Sequence, residues 1–433
     1  MKKSSWIALV LICSMLTACG SGSQILVPDK VESTEQGTES GSLNNNDTAQ
    51  APGFEPLHVT DETAVWEFSH RMLLENLNET NPVLSPVSAY LALGMVGLGA
   101  RQDTLEELED VMGQSFAETN AGLMQAIPNW MRKPEDEKHE PLVVANSVWV
   151  DDTMHPEEAW LEKVNDIFAA EVYRGVLSGE GTKRDINKWI EKKTNSLIKE
   201  FLSEPLDIET KLALFNTIYF KGKWTSDFEK NNTYQEDFTT TDGQVKKVDM
   251  MHDYGRYEFY VKNDKLDGVV MDYQNGSMAM VMLKPTAGQT VREMYESLTY
   301  EEWNALLDTD NTTCINLKLP KFEVEFDKKL NETLQNMGIK LAFDERYADF
   351  TGLGRTDNGM PLYISLVRQK AVVKLDEEGT EAAAVTMVAM KECASAAMVE
   401  KPIEVFFDEP FLYMIVDMES RTPLFIGVMD DPS

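Results

Sequence analysis

The stretch from Lys374 to Ala394 constrains the fold more than any other part of the chain. A strand-like run, Ala371-Val372-Val373, leads through Lys374-Leu375-Asp376 into an acidic turn, Glu377-Glu378-Gly379. Next comes Thr380-Glu381-Ala382-Ala383-Ala384-Val385-Thr386-Met387-Val388-Ala389-Met390-Lys391-Glu392-Cys393-Ala394, and neither Pro nor Gly follows until Pro402. Two local readings fit. Thr380 can cap a helix, and Ala, Glu and Met are good helix formers. Read with period two, Thr380, Ala382, Ala384, Thr386, Val388 and Met390 share one small or apolar face. Glu381 and Lys391 fall on the other. Such a segment can lie outside a sheet in one state and fit between two of its strands in another. Small inward side chains matter, because a late strand must slide past neighbours that are already packed.

The body of the chain has to supply the sheet. Residues 143–150 alternate as a strand, and 211–220 are apolar on both faces, which predicts a central strand. Residues 315–326 and 363–375 read as two further long strands, and 405–407, 411–416 and 424–428 as short buried ones. Amphipathic helices are predicted from 61 to about 78, from Ser85-Pro86, and over 104–112, 156–168 and 185–201. Helices early and strands late, without βαβ alternation, indicate an α+β domain, and no internal repeat is present. Asn216 in mid-strand, and Ser85 and Ser88 at a helix start, need partners if they are buried.

The run Glu377-Glu378-Gly379-Thr380-Glu381-Ala382-Ala383-Ala384 resembles the hinge of the reactive-centre loop of inhibitory serpins. The resemblance extends, in family order, from about residue 60 to the end. Leu84-Ser85-Pro86-Val87-Ser88 resembles the family's early helix start, and Asn216 to Trp224 its central-sheet signature. Asp408-Glu409-Pro410-Phe411-Leu412 with Leu424-Phe425-Ile426-Gly427 resembles its C-terminal signature. The resemblance implies a single serpin-like domain over 58–433: a large central mixed or antiparallel sheet, helices, smaller sheets and an exposed reactive loop. It puts Ser85, Ser88 and Asn216 beneath the opening point of the main sheet, bonded across it. Gln369 stands where the family commonly has His, so that network is expected to persist without a titrating member. Lys321 and Glu377 match a salt bridge at the top of the sheet, near Trp224, expected to be solvent-screened and weak.

The implied activity is suicide inhibition of serine-type endopeptidases, with no catalytic residue of the chain's own. The loop is offered as substrate, the target forms an acyl-enzyme, and the cut loop inserts as a new strand. Counting from Gly379 puts the reactive bond at Cys393-Ala394. The stretch up to Pro410 is longer than usual, so a cut among Ser395 to Met398, or after Lys391, stays open. Small residues before the bond suit elastase-like or subtilisin-like targets; Lys391 would suit trypsin-like ones. The alternative is a non-inhibitory relative acting as a carrier lipoprotein, against which the small Thr380, Ala382 and Ala384 argue. A thiol hydrolase using Cys393 is a remote third reading, and oxidation of that thiol could instead tune inhibition.

At the N-terminus, Met1-Lys2-Lys3, a short apolar run from Trp6 to Ile12 and Leu16-Thr17-Ala18-Cys19 make an export signal over 1–18. The ending resembles a bacterial lipobox, which implies lipid on Cys19, an extracellular membrane-anchored protein and a bacterial source. Residues 19–57 are polar, with Asn44-Asn45-Asn46, and read as a flexible tether. With 40 basic against 73 acidic residues the chain carries −33, and −35 once Lys2 and Lys3 leave. That argues against nucleic-acid or heparin-like partners and favours cationic macromolecules. Membrane contact is expected through the lipid alone, and a monomer is expected. Removing Cys13 and lipidating Cys19 leaves Cys314 and Cys393, so no disulfide framework is expected. His58, His70, His139, His155 and His252 form no metalloprotease motif, and no phosphate loop occurs; no metal or cofactor is implied.

Overall fold

The computed structural model describes residues 24–25, 62–116, 142–274, 276–286, 288–308, 312–380 and 401–433. Two sheets carry the architecture. Half of the main sheet has the order β1 (Gln24–Ile25), β5 (Glu171–Gly175), β3 (Leu142–Asp151), β6 (Leu212–Phe220). The other half has the order β13 (Phe322–Lys329), β15 (Arg368–Asp376), β16 (Gly379–Thr380), β7 (Gly222–Lys223). Only Lys221 separates β6 from β7, so the halves meet at their upper end through β16. Below that point no described strand lies between β6 and β15.

The second sheet is nine-stranded. Its path starts from β17 (Ile403–Phe406) and β12 (Thr312–Pro320), then β9 (Val245–Lys262), β10 (Leu266–Asp272) and β11 (Met278–Pro285). It ends with β18 (Phe411–Asp417), β19 (Thr422–Met429) and β2 (Val83–Leu84), while β8 (Thr233–Thr239) pairs with the first half of β9. Gly255 takes a left-handed φ of 75°, next to a register shift in β12, so one 18-residue strand can turn between partners. β4 (Met154–Pro156) and β14 (Gly354–Thr356) form a small separate pair.

Between the sheets lies α2 (Pro86–Gly97), buried along almost its whole length because it is apolar all round. Ser85 caps it and Pro86 opens its first turn. α1 (Glu62–Leu74), α3 (Gln102–Met112), α4 (Glu158–Phe168), α6 (Val291–Glu296), α7 (Tyr300–Leu307) and α8 (Asn331–Met337) complete the main core. A second core sits on the outer face of the main sheet, where α5 (Glu180–Lys193) lays Ile186, Trp189 and Ile190 with Ile198, Phe201 and Leu202 against Trp149. Phe215 of β6 and Val372 of β15 both join it, so this cover spans the two halves.

The α+β class and the serpin-like layout expected from sequence are what the fold has. Three element expectations are corrected. The strand expected over 315–326 is two strands in different sheets, because Pro320 cannot donate to a ladder and ends β12. The helix expected over 185–201 runs Glu180–Lys193, and Asn195 and Ser196 break it with φ of 48° and 65°. The strand expected from 363 starts only at Arg368. Gln24–Ile25, inside the stretch expected to be a tether, pairs with β5; the rest of that stretch lies outside the described residues.

Candidate functional site

The site is the seam between β6 and β15 together with the turn that overhangs it. β15 runs upward to Asp376, Glu377-Glu378 turn the chain over, and β16 points back down. Gly379 faces Asp376 on one side and Lys223 on the other; Thr380 faces Leu375 and Gly222. Gly379 has φ of 146°, and a Cβ there would lie 2.0 Å from the Gly222 carbonyl oxygen, so only glycine fits this wedge.

The turn is pinned from below by Trp224, which is fully buried. Its Nε1 donates to the Asp376 carbonyl at 3.0 Å, and its backbone N–H donates to Glu378 at 3.1 Å. The indole stacks on Tyr273 at 4.8 Å, and the Tyr273 hydroxyl bonds the Thr380 hydroxyl at 2.7 Å. Glu377 accepts from Lys321 at 2.8 Å and from Thr233 at 2.8 Å, while Lys230 pairs with Glu378. The Glu377 side chain is only 7% exposed, so this pair is more than the screened surface contact expected from sequence. Burial alone would raise the Glu377 pKa, but the hydrogen bonds from Lys321 and Thr233 outweigh it and hold the carboxyl below its usual value. Asp227 beside it is pushed the other way, by burial and then by the charge of Glu378.

A carboxyl depressed in the fold binds its proton less tightly there than in the unfolded chain, where its pKa is about 4.3. Its contribution is therefore complete above that value and lost as pH falls through the folded pKa. Glu377→Gln should flatten the fall in Tm between about pH 5 and pH 3, with a loss at neutral pH of about 1 kcal/mol, since Lys321 is a third exposed. Thermal melts of both proteins across that range check this; parallel curves would contradict it.

Lower down, the seam opens into a cleft of about 940 Å³, lined by Leu212 to Ile218 of β6 and Arg368 to Ala371 of β15. Ser85, Ser88 and Ala89 of the α2 start form its floor. The structure brings Ser85, Ser88, Asn216 and Gln369 together there, but the link across runs through the helix. Gln369 spends its amide on Ser85, accepting from its N–H at 2.9 Å and donating to its carbonyl at 2.8 Å. Ser85 Oγ donates to Leu424, and Ser88 Oγ reaches the Asn216 carbonyl at 3.5 Å. Asn216 turns away to Asn146, donating from Nδ2 at 2.7 Å, and Asn146 in turn donates to Phe168. The open seam keeps Asn216 and Gln369 apart. The buried Asn216 Oδ1 and Thr217 Oγ1 have no partner among the described residues.

Asn146, Tyr273 and Thr233 belong to this site, and sequence reasoning passed over them. Asn146 carried the same signal as Asn216, an amide inside an apolar strand. Glu381 to Ala384 and the reactive-bond residues Cys393 and Ala394 lie outside the described residues, as does Cys19. Among the described residues no helix is long and apolar enough to cross a membrane, and no cluster of three or more His, Cys, Asp or Glu could hold a metal.

A family model described as serpin, serine protease inhibitor, matches residues 64–432. The chain is a serpin. It is 32% identical over 371 residues to serine proteinase inhibitor A3K of Cavia porcellus, covering 84% of this chain and 87% of that one. It is 31% identical to alpha-1-antitrypsin of Meriones unguiculatus, covering 84% and 87%. The native-state crystal structure of the thermophilic serpin tengpin superposes with a TM-score of 0.77 at 30% identity, covering 88% and 96%. In this serpin the seam and its overhanging turn lie in the large main sheet of the family's fold.

Proposed function

We propose that this serpin is a suicide-substrate inhibitor of serine endopeptidases, held at the bacterial cell surface by lipid on Cys19. The segment after Thr380 is the bait. A target serine attacks one bond in it, and the new acyl-enzyme is carried along as the freed strand enters the cleft. The single observation that supports this reading is the direction of β16. It leaves the turn pointing down the seam, already paired on both sides at its upper end, and antiparallel to both β6 and β15. Any strand added there continues two ladders at once.

The register can be carried forward. From the pairs Thr380 with Leu375 and Thr380 with Gly222, Thr386 would come opposite Gln369 on one side and Asn216 on the other. It shares its face with Thr380, the face turned to the floor. Its hydroxyl can then donate to the unpartnered Asn216 Oδ1. Thr386→Val should lower the stability of the cleaved protein by about 1–3 kcal/mol, the cost of a buried acceptor left bare, and leave the uncut protein unchanged. Melts of both forms check this; an equal change in both forms, or none, removes Thr386 from the inserted strand.

A small residue before the bond, Cys393 or, for a later cut, one of Ser395 to Ala397, favours an elastase-like target, and the net charge of −33 favours a cationic one. Incubation with leukocyte elastase should give a complex that survives boiling in detergent, plus a C-terminal fragment beginning at or near Ala394. Complete cleavage without any such complex would overturn the inhibitory reading.

A further inference from the structure

The outer edge of the main sheet holds an unexpected guest. Gln24 pairs antiparallel with Arg174 and Ile25 with Tyr173, so the N-terminal segment adds a strand outside β5. Sequence supports the same spot independently. Gln24-Ile25-Leu26-Val27 holds the only run of three large apolar residues between 20 and 57, and Pro28 then ends the capacity to extend a ladder. Without this strand β5 would present a bare row of backbone donors and acceptors. The receiving strand is also stiffly backed. Tyr173 stacks on Trp149 at 4.4 Å, and Glu171 accepts from Trp189 and pairs with Lys193. A rigid edge takes an extended segment at little cost in ordering.

The level of the guest strand sets an orientation. Tyr173 lies beside Trp149, and Trp149 beside Ala213 of β6. Ala213 is nine residues below Gly222, the partner of Thr380, which is about 30 Å along the strand direction. Only five residue steps of chain separate Cys19 from Gln24, a reach of at most about 17 Å. If the segment were undocked, about 40 free residues would precede α1 and let the body wander over roughly 35 Å.

We propose that the edge of β5 is a strand-binding site for the chain's own N-terminal segment, and that docking there moors the inhibitor with its hinge end turned away from the bilayer. The second half of this inference rests on the lipid-anchor reading; the first does not. The reactive loop would then face soluble proteases, with the opposite pole held near the membrane.

Hydrogen exchange on the full chain tests the docking alone. The outward amides of Glu171–Gly175 should exchange at least threefold faster in Gln24→Pro/Ile25→Pro, and at the wild-type rate in Val31→Pro; equal rates in all three would overturn the site. The mooring is read on the lipidated protein in phosphatidylcholine vesicles carrying an acceptor dye. A donor dye is placed at the exposed Ile208, below the sheet, or at the exposed Ser226, beside the hinge. Ile208→Cys and Ser226→Cys supply the attachment points, with Cys314 and Cys393 changed to Ser. Transfer should be stronger from 208 than from 226, and the two should converge in the double-proline variant. Equal transfer in the otherwise unchanged protein overturns the mooring while leaving the docking intact. Failure of that protein to attach to vesicles overturns the lipid anchor and the mooring with it.

Discussion

Cutting the loop between Gly379 and Met398 should raise the unfolding temperature of this serpin by at least roughly 10 °C. Continued from Thr380, a strand of about ten residues reaches Leu212 at the foot of β6, and it would bond to β6 on one side and β15 on the other. About ten net ladder bonds at ~1 kcal/mol each give on the order of 10 kcal/mol before any apolar burial. For a domain of this length that is a shift of roughly 10–15 °C. The same sum explains how a trap can work on its target. A protease domain is stable by only about 5–15 kcal/mol, so the energy released can distort its catalytic loops. Inhibition is then a race between insertion and deacylation. A calorimetric scan before and after limited proteolysis measures the gain, and an unchanged Tm would leave the mechanism without a source of energy.

Thr380→Arg should turn the inhibitor into a substrate. Thr380 is 3% exposed, and its hydroxyl lies 2.7 Å from that of Tyr273, the ring on which the Trp224 indole stacks. An arginine there would bring a buried, unpaired charge into the mouth of the seam, a cost of several kcal/mol. Insertion would slow while acylation went on as before, so deacylation would win. The moles of serpin consumed per mole of protease blocked should rise more than tenfold, with the boil-stable complex replaced by cleaved protein. Ala384→Arg, on the same face by period two, should act alike. Ala383→Arg, on the opposite face, should leave the complex largely intact. Equal effects at 383 and 384 would mean that the face pattern does not govern insertion.

Much of this site was legible because its chemistry is local. The turn Glu377-Glu378-Gly379 shows itself by an acidic pair before a glycine, and the wedge against Gly222 gives the physical reason. Asn216 stood out as an amide within an apolar strand, and it does line the cleft. What sequence could not give was who bonds to whom. Gln369 and Asn216 looked like partners across a seam, yet each amide bonds on its own side, Gln369 to Ser85 at the start of α2 and the Asn216 Nδ2 to Asn146, which leaves the Asn216 Oδ1 without a partner among the described residues. Glu377 and Lys321 read as a surface pair, and only the packing of Trp224 and Thr233 around the turn made the carboxylate a buried one. In the fold, short buried strands such as β18 and β19 announced themselves by composition. The docking of Gln24–Ile25 did not, since the apolar run Ile25-Leu26-Val27 is too short to carry a strand's periodicity and shows its meaning only once its pairing with β5 is known.

The central claim is that β6 and β15 accept a strand between them. Hydrogen exchange of the seam-facing amides of Leu212–Ile218 and Gln369–Lys374, before and after elastase cleavage, tests it most directly. Strong protection gained along both strands, with the edge amides of β13 unaffected, is the result expected here; two seam edges that exchange as fast after the cut as before would contradict it.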